Sequence, residues 1–281
     1  MKVYHGLNHS PTYYDFHTCK NVLVPGNLLI DGSISIDYLE KLKYFIDELI
    51  VDSGAPAYYL NSDQGYPEGY LEKYLHFIDD IKPDFGFALD YCFENPDFQN
   101  KAKLLENCYK QHETILYARA KKISVPIYPV IQGWDQESYQ LCAREISYYM
   151  KKYHLQRFGI GSICRALPER VREVLSWLEN IMDLSQAHAF GQTQRTMPIL
   201  KEFNICSLDT ANAASNAGRL LYVDPNGINY YAQKSNQGSR KHDLEQQQSF
   251  ASNREKYNYF FKLNKESLES AAQGGTRLND T

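Results

Sequence analysis

Apolar residues fall along this chain in two alternating patterns. Short dense runs, KVYHG, NVLVPG, ELIVD, FGFALD, IYPVIQG, RFGIGSI, QAHAFG and NICSLD, have strand length and strand composition. Between them, ISIDYLEKLKYFIDEL, YLEKYLHFIDDI and three longer stretches near 100–122, 135–154 and 168–181 repeat apolar residues every three or four positions, as helices do. Alternation of strand and helix predicts parallel strands joined by helical crossovers. Eight strand candidates predict an α/β fold of the (β/α)8, TIM-barrel type, over residues 1–233. From 234 onward the chain turns to Gln, Ser, Asn and charge around one apolar cluster at Tyr257, Tyr259, Phe260 and Phe261. That predicts a C-terminal extension with a helix near 243–271 docked outside the barrel, then a disordered tail. No internal repeat is visible.

The polar residues that stop the strand-like runs are more informative than the runs. Asp52, Asp90, Gln132, Gly161, His188, Gly191 and Asp209 stand at or beside such stops. In a parallel barrel the C-terminal strand ends share one rim, so residues scattered over some 160 positions converge on one site. A single aspartate after a strand usually caps the next helix; several on one rim point to chemistry.

Composition narrows the class. With 43% hydrophobic and 23% charged residues the chain is a globular protein, and at 281 residues it can bury a large core. The formal charge of −4 argues against a protein that coats nucleic acid, although Arg119, Lys121 and Lys122, then Lys151, Lys152 and Arg157, then Lys234, Arg240 and Lys241 are candidates for a local basic groove. The 23 tyrosines offer packing and stacking surfaces. Six cysteines without a short-spaced pair, and eight histidines without HExxH or HxH, suggest neither a disulfide framework nor a metal site. No Walker or GxGxxG turn suggests a nucleotide cofactor. Without a membrane-length apolar run or a signal-like N-terminus, a cytoplasmic location is the default.

Three aspartates on one rim can divide into a nucleophile, a proton-transfer group and a substrate acceptor, because neighbouring carboxylates push one another's proton affinities apart. Two carboxylates flanking an anomeric carbon are the apparatus for breaking a glycosidic bond. An acid and an amide, Asp90 and Gln132, suit the donor and acceptor edge of a purine-like base.

In order and spacing, Ile-Val-Asp52-Ser53-Gly54, Ala88-Leu89-Asp90-Tyr91-Cys92, Val130-Ile131-Gln132-Gly133, Ile160-Gly161-Ser162-Ile163 and Leu208-Asp209-Thr210 resemble the strand-end motifs of the tRNA-guanine transglycosylases over roughly residues 48–220. The run Leu-Asp-Thr-Ala-Asn-Ala-Ala-Ser-Asn-Ala-Gly-Arg, the chain length and the lack of a zinc module make the chain most similar to the branch from phages and bacterial DNA-modification clusters, which exchanges guanine in DNA for a 7-deazaguanine such as preQ0. The resemblance implies that Asp209 is the nucleophile that attacks C1′, that Asp52 transfers the proton, and that Asp90, Gln132, Cys92 and the backbone of Gly161, Ser162 and Ile163 hold the base. It implies no cofactor. His188 and Gly191 match a strand end near the pocket without an assigned role.

Departures from the family pattern set further expectations. Ser53-Gly54-Ala55-Pro56-Ala57 displaces the aromatic that stacks on the base, so Tyr58 or Tyr59 is the expected replacement. Tyr91 stands where the family commonly has an acid, and no cysteine follows Cys206 to build the zinc site. DNA is therefore the expected polymer, with Arg165 and Arg219 as candidate phosphate contacts and subunits of a DNA-modification system as candidate partners. A tRNA-directed enzyme, a silent barrel that binds nucleic acid or serves as an accessory subunit, and a barrel glycoside hydrolase are the alternatives.

Overall fold

The protein is represented by a computed structural model that describes residues 1–7, 16–60, 65–164, 166–211, 221–223, 229–231 and 252–274. Its wall is built from β1 (Lys2–Gly6), β2 (Asn21–Pro25), β3 (Glu48–Asp52), β4 (Phe85–Phe87), β5 (Ile127–Tyr128), β6 (Val130–Ile131), β7 (Phe158–Ile160), β8 (Ala187–Ala189) and β9 (Ser207–Thr210). They pair in the order β5-β4-β3-β2-β1-β9-β8-β7-β6, every pair parallel. β5 and β6 are two halves of the single run IYPVI, parted by Pro129, which has no N–H to give a ladder. The nine segments are thus eight strands, and the barrel closes through the chain itself. On one side of the seam Tyr128 O accepts from Ala88 N at 2.9 Å; on the other Pro129 O accepts from Gly159 N at 2.8 Å.

Helices α1 (Gly26–Ile30), α2 (Ile36–Lys43), α3 (Pro56–Tyr59), α4 (Tyr70–Ile81), α5 (Lys101–Ala120), α6 (Gln136–Tyr153), α7 (Pro168–Leu178) and α8 (Met197–Glu202) fill the crossovers from β2 to β9. Local chemistry sets their starts. Ser35 Oγ and Asn100 Oδ1 accept the free N–H groups of Tyr38 and Lys103, and Asp135 with Ser138 forms a reciprocal capping box on α6. The expected helix over ISIDYLEKLKYFIDEL is shorter than its spacing implies and ends at Lys43. Tyr44 and Phe45 are 87% and 61% exposed, and from Glu48 the apolar residues alternate as in a strand. Leu49 and Val51 pack under the helices, while Ile50 points into the barrel.

Two apolar layers result. Tyr4, Leu23, Ile50, Phe85, Phe87 and Val130 fill the barrel interior, and a larger cluster fills the space between wall and helices. The C-terminal helix α9 (Asn253–Gln273) belongs to that outer layer, burying Phe260, Phe261, Leu268 and Ala272. It is tied to the region of β1 by a 5.0 Å ring contact between Phe261 and Phe16, by Lys265 Nζ donating to Thr18 O at 2.7 Å, and by a 3.5 Å pair between His5 and Glu269. The expected helical stretch 243–251 lies outside the described residues. A two-stranded antiparallel hairpin, β10 (Leu221–Val223) with β11 (Asn229–Tyr231), lies between β9 and α9 in the chain. Among the described residues no helix is long and apolar enough to cross a membrane.

Candidate active site

A cavity of about 500 Å³ opens where the strands end, and Asp52, Asp90, Gln132, Gly161 and Asp209 all line it. Parallel pairing is what gathers them. Asp52 is the last residue of β3, Gln132 follows β6, Gly161 follows β7 and Asp209 lies in β9, so residues far apart in sequence stand on one rim.

One side of the cavity is a continuous chain of polar side chains. Asp90, on the loop leaving β4, accepts from Ser53 Oγ on Oδ1 and from Gln132 Nε2 on Oδ2. Gln132 Oε1 in turn accepts from Ser162 Oγ at 2.5 Å, and Ser162 Oγ accepts from Phe93 N at 3.0 Å. Ser162 adopts a left-handed φ of 52°, a conformation that a non-glycine residue holds at a cost of about 1 kcal/mol or more and that often marks a site. Gly161 is required by space: a Cβ there would lie 2.2 Å from Gln132 Nε2, so only glycine lets the amide lie across the strand end. Tyrosines fix this side from behind. Tyr66 OH donates to Asp90 O (2.8 Å), Tyr70 OH to Ser53 O (2.9 Å), Tyr74 OH to Phe87 O (2.6 Å) and Tyr139 OH to Gly161 O (3.0 Å).

The other side is built around Asp209. Its Oδ1 receives Gly191 N at 3.0 Å and lies 3.3 Å from His188 Nε2. Gly191 reaches it in a left-handed turn at φ 64°, where a Cβ would strike Cys164 at 2.7 Å. His188 is buried in β8 with its ring against Tyr4, Phe87 and Phe190.

These surroundings drive the carboxylates apart. Burial pushes Asp52 up to about 8, helped by the negative charges of Asp209 and Asp90 and opposed by the N–H of Gly54, which donates to Oδ1 at 2.7 Å. Burial also raises Asp90, only to about 6, because Ser53 and Gln132 solvate its ionised form. At neutral pH Asp52 is therefore mainly protonated and Asp90 mainly ionised. Burial pushes the Cys92 thiol up to about 12, so the cysteine lines the cavity as S–H and not as a nucleophile.

Several expected residues lie elsewhere. Tyr58 and Tyr59 do not line the cavity: Tyr59 is buried and stacks on Tyr91 at 4.5 Å, and Tyr58 packs on Tyr66 and Tyr70. The tyrosine cluster draws both rings inward, and among the described residues the aromatic faces at the cavity are those of Phe87 and Phe190, 4.8 Å apart. Ile163 is also buried away from it, its carbonyl accepting from Gln192 Nε2 at 3.2 Å, while Ser162 lines the cavity. The N–H of Gly161 is already given to Ile131 O at 2.9 Å. Arg165, Arg219, Lys234, Arg240 and Lys241 lie outside the described residues. The remaining basic clusters stand at the far end of the barrel. Arg119 and Lys152, at or beyond the C-terminal turns of α5 and α6, both face the Tyr153 ring at 5.3 Å, and Arg157 stands over Phe85 at the start of β4. Sequence reasoning missed Ser53, Phe87, Glu94, Cys164, Phe190 and Thr193 as cavity residues. Ser53 alone had a local signal, following a strand-end aspartate.

Among the described residues no group of three His, Cys, Asp or Glu side chains is arranged to hold a metal ion. Compared with known proteins, the chain matches no family model and no curated sequence.

Proposed function

We propose that this barrel is a base-exchange transglycosylase that replaces guanine in DNA by a 7-deazaguanine base of the preQ0 type. The observation that carries the proposal is the pairing, in one cavity, of Asp209 with a second carboxyl, Asp52, held protonated to about pH 8. Asp209 attacks C1′ of the nucleoside, and the bond from C1′ to guanine N9 breaks as an ester to Asp209 forms. The departing guanine takes the Asp52 proton. An incoming deazaguanine then returns its N9 proton to Asp52, its N9 attacks C1′, and the Asp209 carboxylate is released. One glycosidic bond replaces another, so protons and charge balance without a cofactor.

The chain of Ser53, Asp90, Gln132 and Ser162 suits the base. With no ligand its members satisfy one another, and a guanine edge offers Asp90 N–H donors and gives the Gln132 amide a carbonyl to bind. Selection of DNA rests on the resemblance of the strand-end motifs to the DNA-directed branch. A pocket at a barrel rim acts on a base flipped out or presented in a single strand.

Incorporation of radiolabelled guanine into DNA and, in parallel, into tRNA tests the proposal, with preQ0 as competitor and Asp209→Ala as control. Label entering DNA alone, abolished by the substitution, supports it. Label entering tRNA alone moves the activity to that polymer, and no incorporation by a folded protein favours a silent binding barrel.

A further inference from the structure

Asp209 is held unevenly. Both side-chain hydrogen bonds described for its carboxylate fall on Oδ1, one from Gly191 N and one from His188. A carboxylate only accepts, so the His188 contact requires a hydrogen on Nε2. The other ring nitrogen, Nδ1, lies 3.0 Å from Ser207 Oγ. Ser207 is 1% exposed and stands two residues before Asp209 on the same strand face, and among the described residues its hydroxyl otherwise meets only the weak acceptor Cys206 Sγ at 3.5 Å. Donation from Ser207 to Nδ1 leaves the hydrogen on Nε2, aimed at Asp209. Edge and tilted contacts from Tyr4, Phe87 and Phe190, at 5.6, 5.3 and 4.8 Å, keep the ring from turning.

We propose that Ser207 and His188 form a positioning relay that fixes the imidazole as its Nε2–H tautomer, pins Oδ1 of Asp209 and leaves Oδ2 as the oxygen that attacks the sugar. The residue types are those of a hydrolytic Ser–His–Asp triad, but their exposure is inverted. Here the serine is sealed behind the histidine and the carboxylate faces the cavity, so the serine positions and the aspartate reacts. Two donors on one oxygen draw negative charge toward it and orient the second oxygen, a precondition for in-line attack on C1′. The Oδ2 assignment rests on the transglycosylase proposal; the tautomer does not.

The test uses the full chain labelled with 15N-histidine. Long-range proton–nitrogen correlation spectra are expected to give His188 a neutral Nε2–H pattern, lost or mixed in Ser207→Ala and regained in Ser207→Thr. In exchange assays His188→Phe is expected to lower kcat about 10–100-fold, the scale of a hydrogen bond to a charged group, with KM for the base nearly unchanged. His188→Gln, which keeps an N–H donor, recovers part of the loss. A wild-type Nδ1–H pattern overturns the relay without any activity measurement, and so does a Ser207→Ala spectrum identical to wild type. Unchanged kcat in a folded His188→Phe protein overturns the positioning role. Absence of exchange by the wild type removes the transglycosylase proposal and the Oδ2 assignment together, while the spectra still decide whether the relay exists.

Discussion

Asp90 and Asp209 face the same cavity and are held in opposite ways. Asp90 has a side-chain donor on each oxygen, and both donors are themselves fixed by further hydrogen bonds or by packing. Among the described residues Asp209 has both of its donors on a single oxygen. A carboxylate with a fixed donor on each oxygen suits recognition, because its geometry is set before a ligand arrives and each oxygen keeps room for one more donor. One satisfied on one side keeps an oxygen for chemistry. Asp52, with backbone donors from Gly54 and Gly26 and a raised proton affinity, is neither; it is the group that can carry a proton at neutral pH.

Substituting the half-held carboxylate has the largest expected effect. Asp209→Asn should lower base exchange by on the order of 10³-fold or more, while calorimetric affinity for free guanine stays within about twofold. A comparable loss of guanine affinity would place Asp209 in recognition and erase the distinction from Asp90.

Asp52→Asn should lower exchange about 10²–10⁴-fold, the usual range for a lost general acid or base, and should also stabilise the fold at high pH. The sign follows from the raised proton affinity. Asp52 titrates near 8 in the folded chain against an ordinary 3.8, so its proton is part of the folded state's stability at low pH and is lost as pH rises through about 8. Asparagine has no proton to lose. Thermal melts should show the advantage of the variant over wild type growing as pH rises from about 4 to about 8 and levelling off above that, and an advantage independent of pH would refute the assignment.

Asp90→Asn should act on KM. Loss of a charged acceptor costs about 1.5–3 kcal/mol, so KM for the base should rise about 10–100-fold with a much smaller change in kcat. Steady-state kinetics with labelled guanine separates the two, and a pure kcat effect would mean that Asp90 acts in the chemistry. Tyr66→Phe should give the smallest change. It removes one hydroxyl bond to the Asp90 carbonyl, worth about 0.5–1.5 kcal/mol, and differential scanning calorimetry should find Tm lowered by a few degrees. Loss of the base site from this change alone would make the tyrosine brace a condition of recognition.

The contrast also separates what the sequence made legible from what it hid. Asp52, Asp90, Gln132 and Asp209 were readable because each is a polar residue closing an apolar strand, and parallel topology does the rest. The eight strands followed from the same alternation. The bonds that set the character of each carboxylate were not readable, although His188 and Gly191 themselves stood out at a strand end. Ser53 and Gly191 act through a hydroxyl and a backbone N–H beside a turn, and His188 acts from within a strand, where a lone histidine looks like packing. Tyr58 and Tyr59 misled because a displaced motif pointed to an aromatic nearby, whereas the side-chain direction came from the crowd of Tyr66, Tyr70 and Tyr91. The early end of α2 was hidden for a related reason: Tyr44 and Phe45 keep the helical spacing yet face water.

The loop that carries Asp90 leaves the wall just after Ala88, and the wall does not stay open behind it. Val130 N donates to Gln111 Oε1 at 2.6 Å and Val130 O accepts from Gln111 Nε2 at 2.8 Å, while one turn earlier on α5 Asn107 Oδ1 accepts from Tyr91 N at 2.8 Å. The buried amide of Gln111 thus stands in for the peptide groups that a longer β4 would have supplied, and that of Asn107 takes up an N–H of the segment that leaves the wall. The barrel behaves like a hoop with a splice, its joint made by a helix and not by the neighbouring stave. This frees seven residues, Leu89 to Asn95, to build one edge of the cavity without unravelling the circumference. Replacing Gln111 by leucine would leave a strand donor and acceptor bare in an apolar layer, at about 1–3 kcal/mol for each, and deuterium would enter the amide of Val130 before any other in the wall.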